Sequence, residues 1–460
     1  MVAATAFQVA LALALSAAGV SAQNADGKYT ISAEGIRANF IPYGASISNL
    51  FLNDSNGIER DIVLGFDNAS YYSIDKLHPH LGGVPENICD WNLGPVSRVE
   101  FSHWPAVPAV AFWFRFLFSW LADTLALQGR YANRIKNGTF EIDGITYNTV
   151  KNENDGVDTL HGGSNGWDWR NWTVAAYTSN SITFTLFDKD GEQGFPGDVQ
   201  SFVQYTLTPY TWHLKMGATA LTKKTPIMLS SHTAYIAMVP QTTNIAPKTY
   251  WNLDGFQSND TANALNHTFS LPYSGQRVGV DSILIPDGTI LPNEKGSVND
   301  FWSSPKQIGK DIAKPEIQGN CGAGCAGYDT CFIVNRAQDG PYDWRTKGPV
   351  ASLSSDFSGI KVDVFTDQDA FQMYSCNSMN GTLPIKNTQG FFNNTNRPRV
   401  VEKYGCVVME VEDWIDSINQ PEWQREKKNI FGPETDPYVL QAEYRFTVGG
   451  KGASSRKTEL

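Results

Sequence analysis

Between Gly129 and His161 the chain reads GRYANRIKNGTFEIDGITYNTVKNENDGVDTLH, and the Asp143-Gly144 pair inside it restricts the local fold more tightly than any other feature. Asp-Gly supplies the positive φ values that a two-residue hairpin needs. Residues 140–142 and 145–150 are therefore predicted to be antiparallel strands joined by a tight turn. The polar run 152–158 that follows is expected to be loop. Leu160-His161-Gly162-Gly163 ends it with an imidazole beside two residues that let another backbone or a ligand come close. A lone histidine before Gly-Gly is more often structural than chemical, so this one takes its meaning from its surroundings.

The alternation seen in the hairpin recurs at 29–32, 36–41, 47–52, 62–65, 181–188, 199–209 and 212–221. Those short runs are separated by Asn, Asp and Gly, and the chain carries 40 Gly, 23 Pro and 12% aromatic residues, which favours strands and turns over helices. An all-β fold is expected. A chain of 460 residues can bury a sizeable core in one large β domain or two smaller ones. No internal repeat, low-complexity tract or linker divides it, so residues 23–460 are taken as one domain. With 47 acidic and 36 basic residues the net charge is -11, and no block of Lys or Arg would hold a phosphate backbone; nucleic acid is not an expected partner.

Residues 1–22 have an apolar centre and small residues at Val20 and Ala22, as a signal peptide cleaved before Gln23 would. The apolar run falls short of the ~20 residues that span a bilayer, so a membrane anchor is not expected. N-x-S/T sequons at Asn53, Asn68, Asn137, Asn171, Asn259, Asn266, Asn380 and Asn393 fit export and glycosylation. The C-terminal Lys457-Thr458-Glu459-Leu460 differs by one residue from an ER-retrieval signal, which leaves ER retention as the alternative to secretion. Cysteines 89, 321, 325, 331, 376 and 406 allow more disulfide pairings than sequence can choose among. Cys321-x3-Cys325-x5-Cys331 lacks a nearby His and the spacing of a usual zinc motif, so no metal site is expected.

The runs GRYANRI, GTFEIDGITY and LHGG followed by GWDWRNW resemble the aldose 1-epimerase (galactose mutarotase) family, of a secreted type. The likeness spans about residues 28–449 and includes IPYGA at 41–45, RDIVLGF at 60–66, GFPG at 194–197, YWNL at 250–253, GYDTCF at 327–332 and YGCVVMEVE at 404–412. It implies a large antiparallel β-sandwich, the galactose mutarotase-like supersandwich, and an isomerase that interconverts the anomers of a free aldohexose, glucose or galactose. By the same resemblance Glu410 is the base on O1 and His232 the acid on O5. His161 hydrogen-bonds the ring region and shares the positive charge. Asn133, Arg134, Asp329 and Gln372 hold the hydroxyls. No metal or other cofactor is implied; the expected partner is the sugar alone, and the expected state is a monomer. Trp167 and Trp169 either support the sugar site or belong to the core. Asp329, without the resemblance, reads as a turn carboxylate. Glu412 stands where the family usually has Gln, and residues two apart on a strand face the same side, so sequence leaves open which carboxylate points into the cleft.

Two stretches interrupt the family pattern. Residues 86–128 contain AVPAVAFWFRFLFSWLA, whose Arg115 and Pro108 argue against a transmembrane helix and whose aromatic crowding would make a large exposed apolar patch if it were a surface loop. Residues 234–249 split the motif between His232 and Tyr250. Translated non-coding sequence, such as a retained intron, is the expected origin of the first. Two other outcomes stay open: a carbohydrate-binding protein of the same fold without turnover, which would not need His232 and Glu410, and an inactive product of a wrong gene model. A hydrolase would call for two carboxylates across the bond and a phosphate ester for an extra basic cluster, and neither is evident.

Overall fold

The computed structural model describes residues 23–74, 129–230, 249–336, 343–390, 398–449 and 451–452. The expected leader, the interruption at 86–128, nearly all of that at 234–249, Cys89, His232, Asn393 and the C-terminal tetrapeptide lie outside them.

Alternating burial builds the sheets. Along Ser181–Asp188 the residues Ile182, Phe184 and Leu186 are buried, and along Val199–Thr208 so are Val199, Ser201, Val203, Tyr205 and Leu207. Period-two burial is what a strand with one face on a core requires. These strands pair antiparallel with each other, and Val199–Thr208 pairs in turn with Thr211–Ala220. They belong to a ten-stranded sheet in which Tyr438–Val448 lies between Thr211–Ala220 and Ile360–Thr366. A six-stranded sheet runs in the order Tyr250–Trp251, Val407–Glu412, Ala370–Tyr374, Asp329–Ile333, Gln276–Val280 and Pro286–Pro292. A four-stranded sheet comprises Tyr29–Ala33, Ile36–Ile41, Ser46–Asn53 and Glu59–Asp61.

The two large sheets meet through aromatic rings. Tyr444 stacks on Trp212 within the ten-stranded sheet at 4.7 Å and on Trp251 of the six-stranded sheet at 5.7 Å. Phe269 reaches Phe371 at 6.2 Å, and Phe301 bridges Phe269 and Phe332. Each buried ring removes a large apolar area from water, and the tilted contacts add a geometric preference. Phe332, Phe371, Met373, Met409 and Val411 thus face the main core. Their strand neighbours Cys331, Ile333 and Ala370 belong to a separate apolar cluster with Val278 and Ile415. The second face of the six-stranded sheet is therefore left for other use.

The hairpin forms as expected, with strands Thr139–Ile142 and Ile145–Asn148 and with φ of 52° at Asp143 and 79° at Gly144. The stretch at 62–65 departs from expectation: the paired strand is Glu59–Asp61, and Val63 makes only an isolated bridge to Trp251. Trp167 is core, 1% exposed, with its Nε1–H donated to Asp188, and Trp169 is half-buried. Disulfides join Cys321 to Cys325 and Cys376 to Cys406, and Cys331 keeps a buried thiol. Among the described residues no helix is long and apolar enough to cross a membrane.

Candidate active site

Strand register sets the floor of the site. Cys331 lies opposite Gln372 and Gln372 opposite Glu410, while Asp329 lies opposite Tyr374 and Ala370 opposite Glu412. Directly opposed residues share a face, so Asp329, Gln372, Glu410 and Glu412 all leave the sheet on the side away from the main core. Asp329 opens its strand rather than sitting in a turn. Gln372 Nε2 donates to Asp329 Oδ1 at 2.6 Å. Glu410 and Glu412 are both fully buried. Register and contacts separate the two carboxylates: Glu410 sits beside Gln372, and Glu412 Oε1 accepts from Asn133 Nδ2 at 3.1 Å.

The wall opposite comes from the GRYANRI segment, anchored by its first arginine. Buried Arg130 gives Nε and Nη2 to Asp188 Oδ2 at 3.0 and 2.8 Å and Nη1 to the carbonyls of Pro196 and Gly197 at 2.6 and 2.7 Å. This ties the segment to the GFPG turn. Three residues on, Asn133 and His161 both adopt left-handed backbone, φ 59° and 53°, a conformation uncommon outside Gly that something must hold in place. A reciprocal pair does so: the His161 amide donates to Asn133 O at 2.9 Å, and the Asn133 amide donates to His161 Nδ1 at 2.8 Å. With Nδ1 accepting, the proton of a neutral ring sits on Nε2. An imidazolium would lose the Nδ1 bond, so this geometry suits His161 as a hydrogen-bond donor better than as a carrier of positive charge.

Arg134 is gripped from behind. Its Nε and Nη2 each reach a Glu153 oxygen at 2.7 Å, and Asp158 Oδ2 lies 4.0 Å from Nε. Burial works against the Arg134 cation, but Glu153 outweighs it and the guanidinium is held above its ordinary range. Burial likewise pushes the Glu153 carboxyl up, to about 8, while Arg134 pulls it down. Two N–H groups at 2.7 Å from its two oxygens favour the ionised acid, and the contact has the geometry of a bidentate ion pair.

An open cavity of about 780 Å³ is bordered by Arg134, Asp329, Cys331 and Gln372, within the ~300–1,000 Å³ usual for small-molecule sites. Asn133, His161 and Glu410 are not among its described lining residues; Asn133 is next in chain to Arg134, His161 is bonded to Asn133, and Glu410 lies across the strand from Gln372. Of the residues singled out in the sequence, Asn133, Arg134, His161, Asp329, Gln372 and Glu410 thus converge on one face of one sheet, and His232 lies outside the described residues. Sequence reasoning missed Glu153 and Asp158, whose only signal was two acids bracketing a short Asn-Asp-Gly turn. It also missed Cys331 as a cavity residue.

The fold and site define a class, a galactose mutarotase-like β-sandwich with a polar cleft on the outer face of one sheet. Residues 117–429 match the aldose 1-epimerase family. The chain is 40% identical over 447 residues to the probable aldose 1-epimerase of Arthroderma benhamiae, covering 91% of this chain and 86% of that one. It is 27% identical over 394 residues to the galactose mutarotase of Sus scrofa, covering 86% and 87%. A crystal structure of a GalM/aldose epimerase homologue from C. elegans superposes with a TM-score of 0.64 at 22% identity, covering 92% of this chain and 99% of that one. The chain belongs to the aldose 1-epimerase family and is an isomerase.

Proposed function

We propose that the chain interconverts the α and β anomers of a free aldohexose, glucose or galactose, by acid/base ring opening and reclosure. The carrying observation is that Glu410, Gln372 and Asp329 share one sheet face beside the Asn133–His161 pair. Opening the ring takes a proton from the O1 hydroxyl and gives one to O5; rotation about C1–C2 and closure on the other face invert the anomer. Glu410 takes the O1 proton and His232 protonates O5. Ser230 donates its hydroxyl to Val411 O at 3.2 Å, which ties the chain at Ser230 to the strand that carries Glu410. His161 donates from Nε2 toward the ring region, and Asn133, Arg134, Asp329 and Gln372 hold the hydroxyls. Glu410→Gln removes the base while keeping shape, so turnover should fall by about 10²–10⁴-fold with sugar binding still measurable by saturation-transfer NMR. Full activity in that variant would remove the mechanism.

We further propose that the protein is exported, N-glycosylated and monomeric. Two disulfides suit an oxidising compartment. The sequon residues Asn53, Asn137, Asn171, Asn266 and Asn380 are exposed, whereas Asn39, Asn49, Asn252, Asn377 and Asn429, outside sequons, are buried. Peptide mass spectrometry of protein from a secreting host, with light scattering for its mass, tests this; protein confined to the cytosol and free of glycan would contradict it.

A further inference from the structure

Arg134 faces a problem of divided loyalty. It borders the cavity together with Asp329, whose charge is felt at the guanidinium, and a buried arginine beside one carboxylate tends to close on it. A closed Arg134–Asp329 pair would satisfy both groups and leave neither for a sugar hydroxyl. The described geometry avoids this, because both prongs of the guanidinium go to Glu153. Glu153 does not border the cavity.

The backbone that presents Glu153 is fixed. Glu153 and Asp158 form an isolated antiparallel bridge, and the intervening turn has positive φ at Asn154, Asp155 and Gly156. The amides of Gly156 and Val157 donate to Glu153 O at 2.9 and 3.1 Å, and Asn154 Nδ2 donates to Asp158 Oδ1 at 2.9 Å. Only a 4-residue stretch separates the two acids, yet both end up buried against one arginine.

We propose that Glu153 is a positioning residue for sugar recognition: by binding Nε and Nη2 of Arg134 it keeps the guanidinium off Asp329 and commits its remaining N–H groups to the cleft. This rests on the mutarotase reading, in which Arg134 and Asp329 hold hydroxyls. Asp158, with an oxygen 4.0 Å from Nε, adds a second negative charge on the same side and strengthens the pull away from Asp329.

The test uses the full chain with Glu153→Gln and Glu153→Asp, measuring kcat, KM, the Kd for D-galactose and thermal unfolding. Glu153→Gln should stay folded and raise KM and Kd together by about tenfold, with kcat within about threefold, as expected when a bidentate charged contact that orients a binding group is lost. Glu153→Asp, one methylene too short to keep both prongs, should raise them by about threefold. In an Arg134→Ala background Glu153→Gln should add nothing, because it acts only through Arg134. A folded Glu153→Gln with unchanged KM and Kd overturns the proposal, as does a full additional loss in the Arg134→Ala background. If Glu153→Gln does not fold, an unchanged KM in Glu153→Asp overturns it. Wild-type protein that binds hexose without turning it over would sink the mutarotase reading and leave the Kd arm to decide on Glu153; wild-type protein that binds none overturns both.

Discussion

Glu410 and Glu412 show how much a single register decides. A strand turns both to the same side, and the neighbours across the strand, Gln372 for one and Ala370 for the other, tell them apart together with the Asn133 bond to Glu412. On the far sheet Glu443 has a different fate. Burial pushes its carboxyl up, but hydrogen bonds from His213 and Arg445 bring it down to about 2. Its folded pKa lies below the unfolded value, so the unfolded chain binds more protons between about pH 2 and pH 4.5. Stability from this group is present above that window and lost as pH falls through it, by about 1–2 kcal/mol after allowing for solvent screening. Glu443→Gln should flatten the acid limb of a denaturation curve by that amount, and an unchanged acid limb would contradict the assignment. Residue by residue, Asn133, Arg134 and Asp329 were legible because contiguous motifs carry them. Glu153 was not, because its pairing with Arg134 depends on a loop folding back over 19 positions.

The element that most controls the site is the turn at 160–163. Gly162 has φ 87°, and a Cβ there would lie 2.1 Å from Gly129 O. Gly162→Ala therefore has to push away the start of the GRYANRI segment and with it the Asn133–His161 pair. A loss of more than about 2 kcal/mol is expected, read as a lower unfolding midpoint with activity reduced beyond what the loss of folded protein explains; a variant of ordinary stability and activity would contradict the close approach. The hairpin at 139–148 was readable from Asp143-Gly144 alone, since turn chemistry is local. The strand at Glu59–Asp61 was missed because the apolar residues beside it, Ile62 to Leu64, dominate the local pattern, although their backbone bonds to Leu50, Tyr250 and Asn252 leave only the Val63–Trp251 bridge and no strand of their own. Apolar runs report burial first and hydrogen bonding second.

At the scale of the whole molecule, one six-stranded sheet serves two purposes. Its inner face completes the core with Phe332, Phe371 and Met409, and its outer face carries Asp329, Gln372 and Glu410. Fold class followed from alternation and composition, but sheet order did not. Tyr438–Val448 enters between Thr211–Ala220 and Ile360–Thr366, and such pairings between segments far apart in the chain leave no local trace. The interruptions expected from sequence at 86–128 and 234–249 bear on the same scale, since the second would separate His232 from Tyr250 within one family motif. Turnover of sugar by the 460-residue chain is thus the central claim. The most direct measurement is polarimetry of freshly dissolved α-D-glucose and α-D-galactose with the purified 460-residue protein beside its Glu410→Gln variant. The account predicts faster decay of optical rotation than the spontaneous rate with the wild type and the spontaneous rate with the variant. Acceleration by neither, from folded protein that binds sugar, would contradict it.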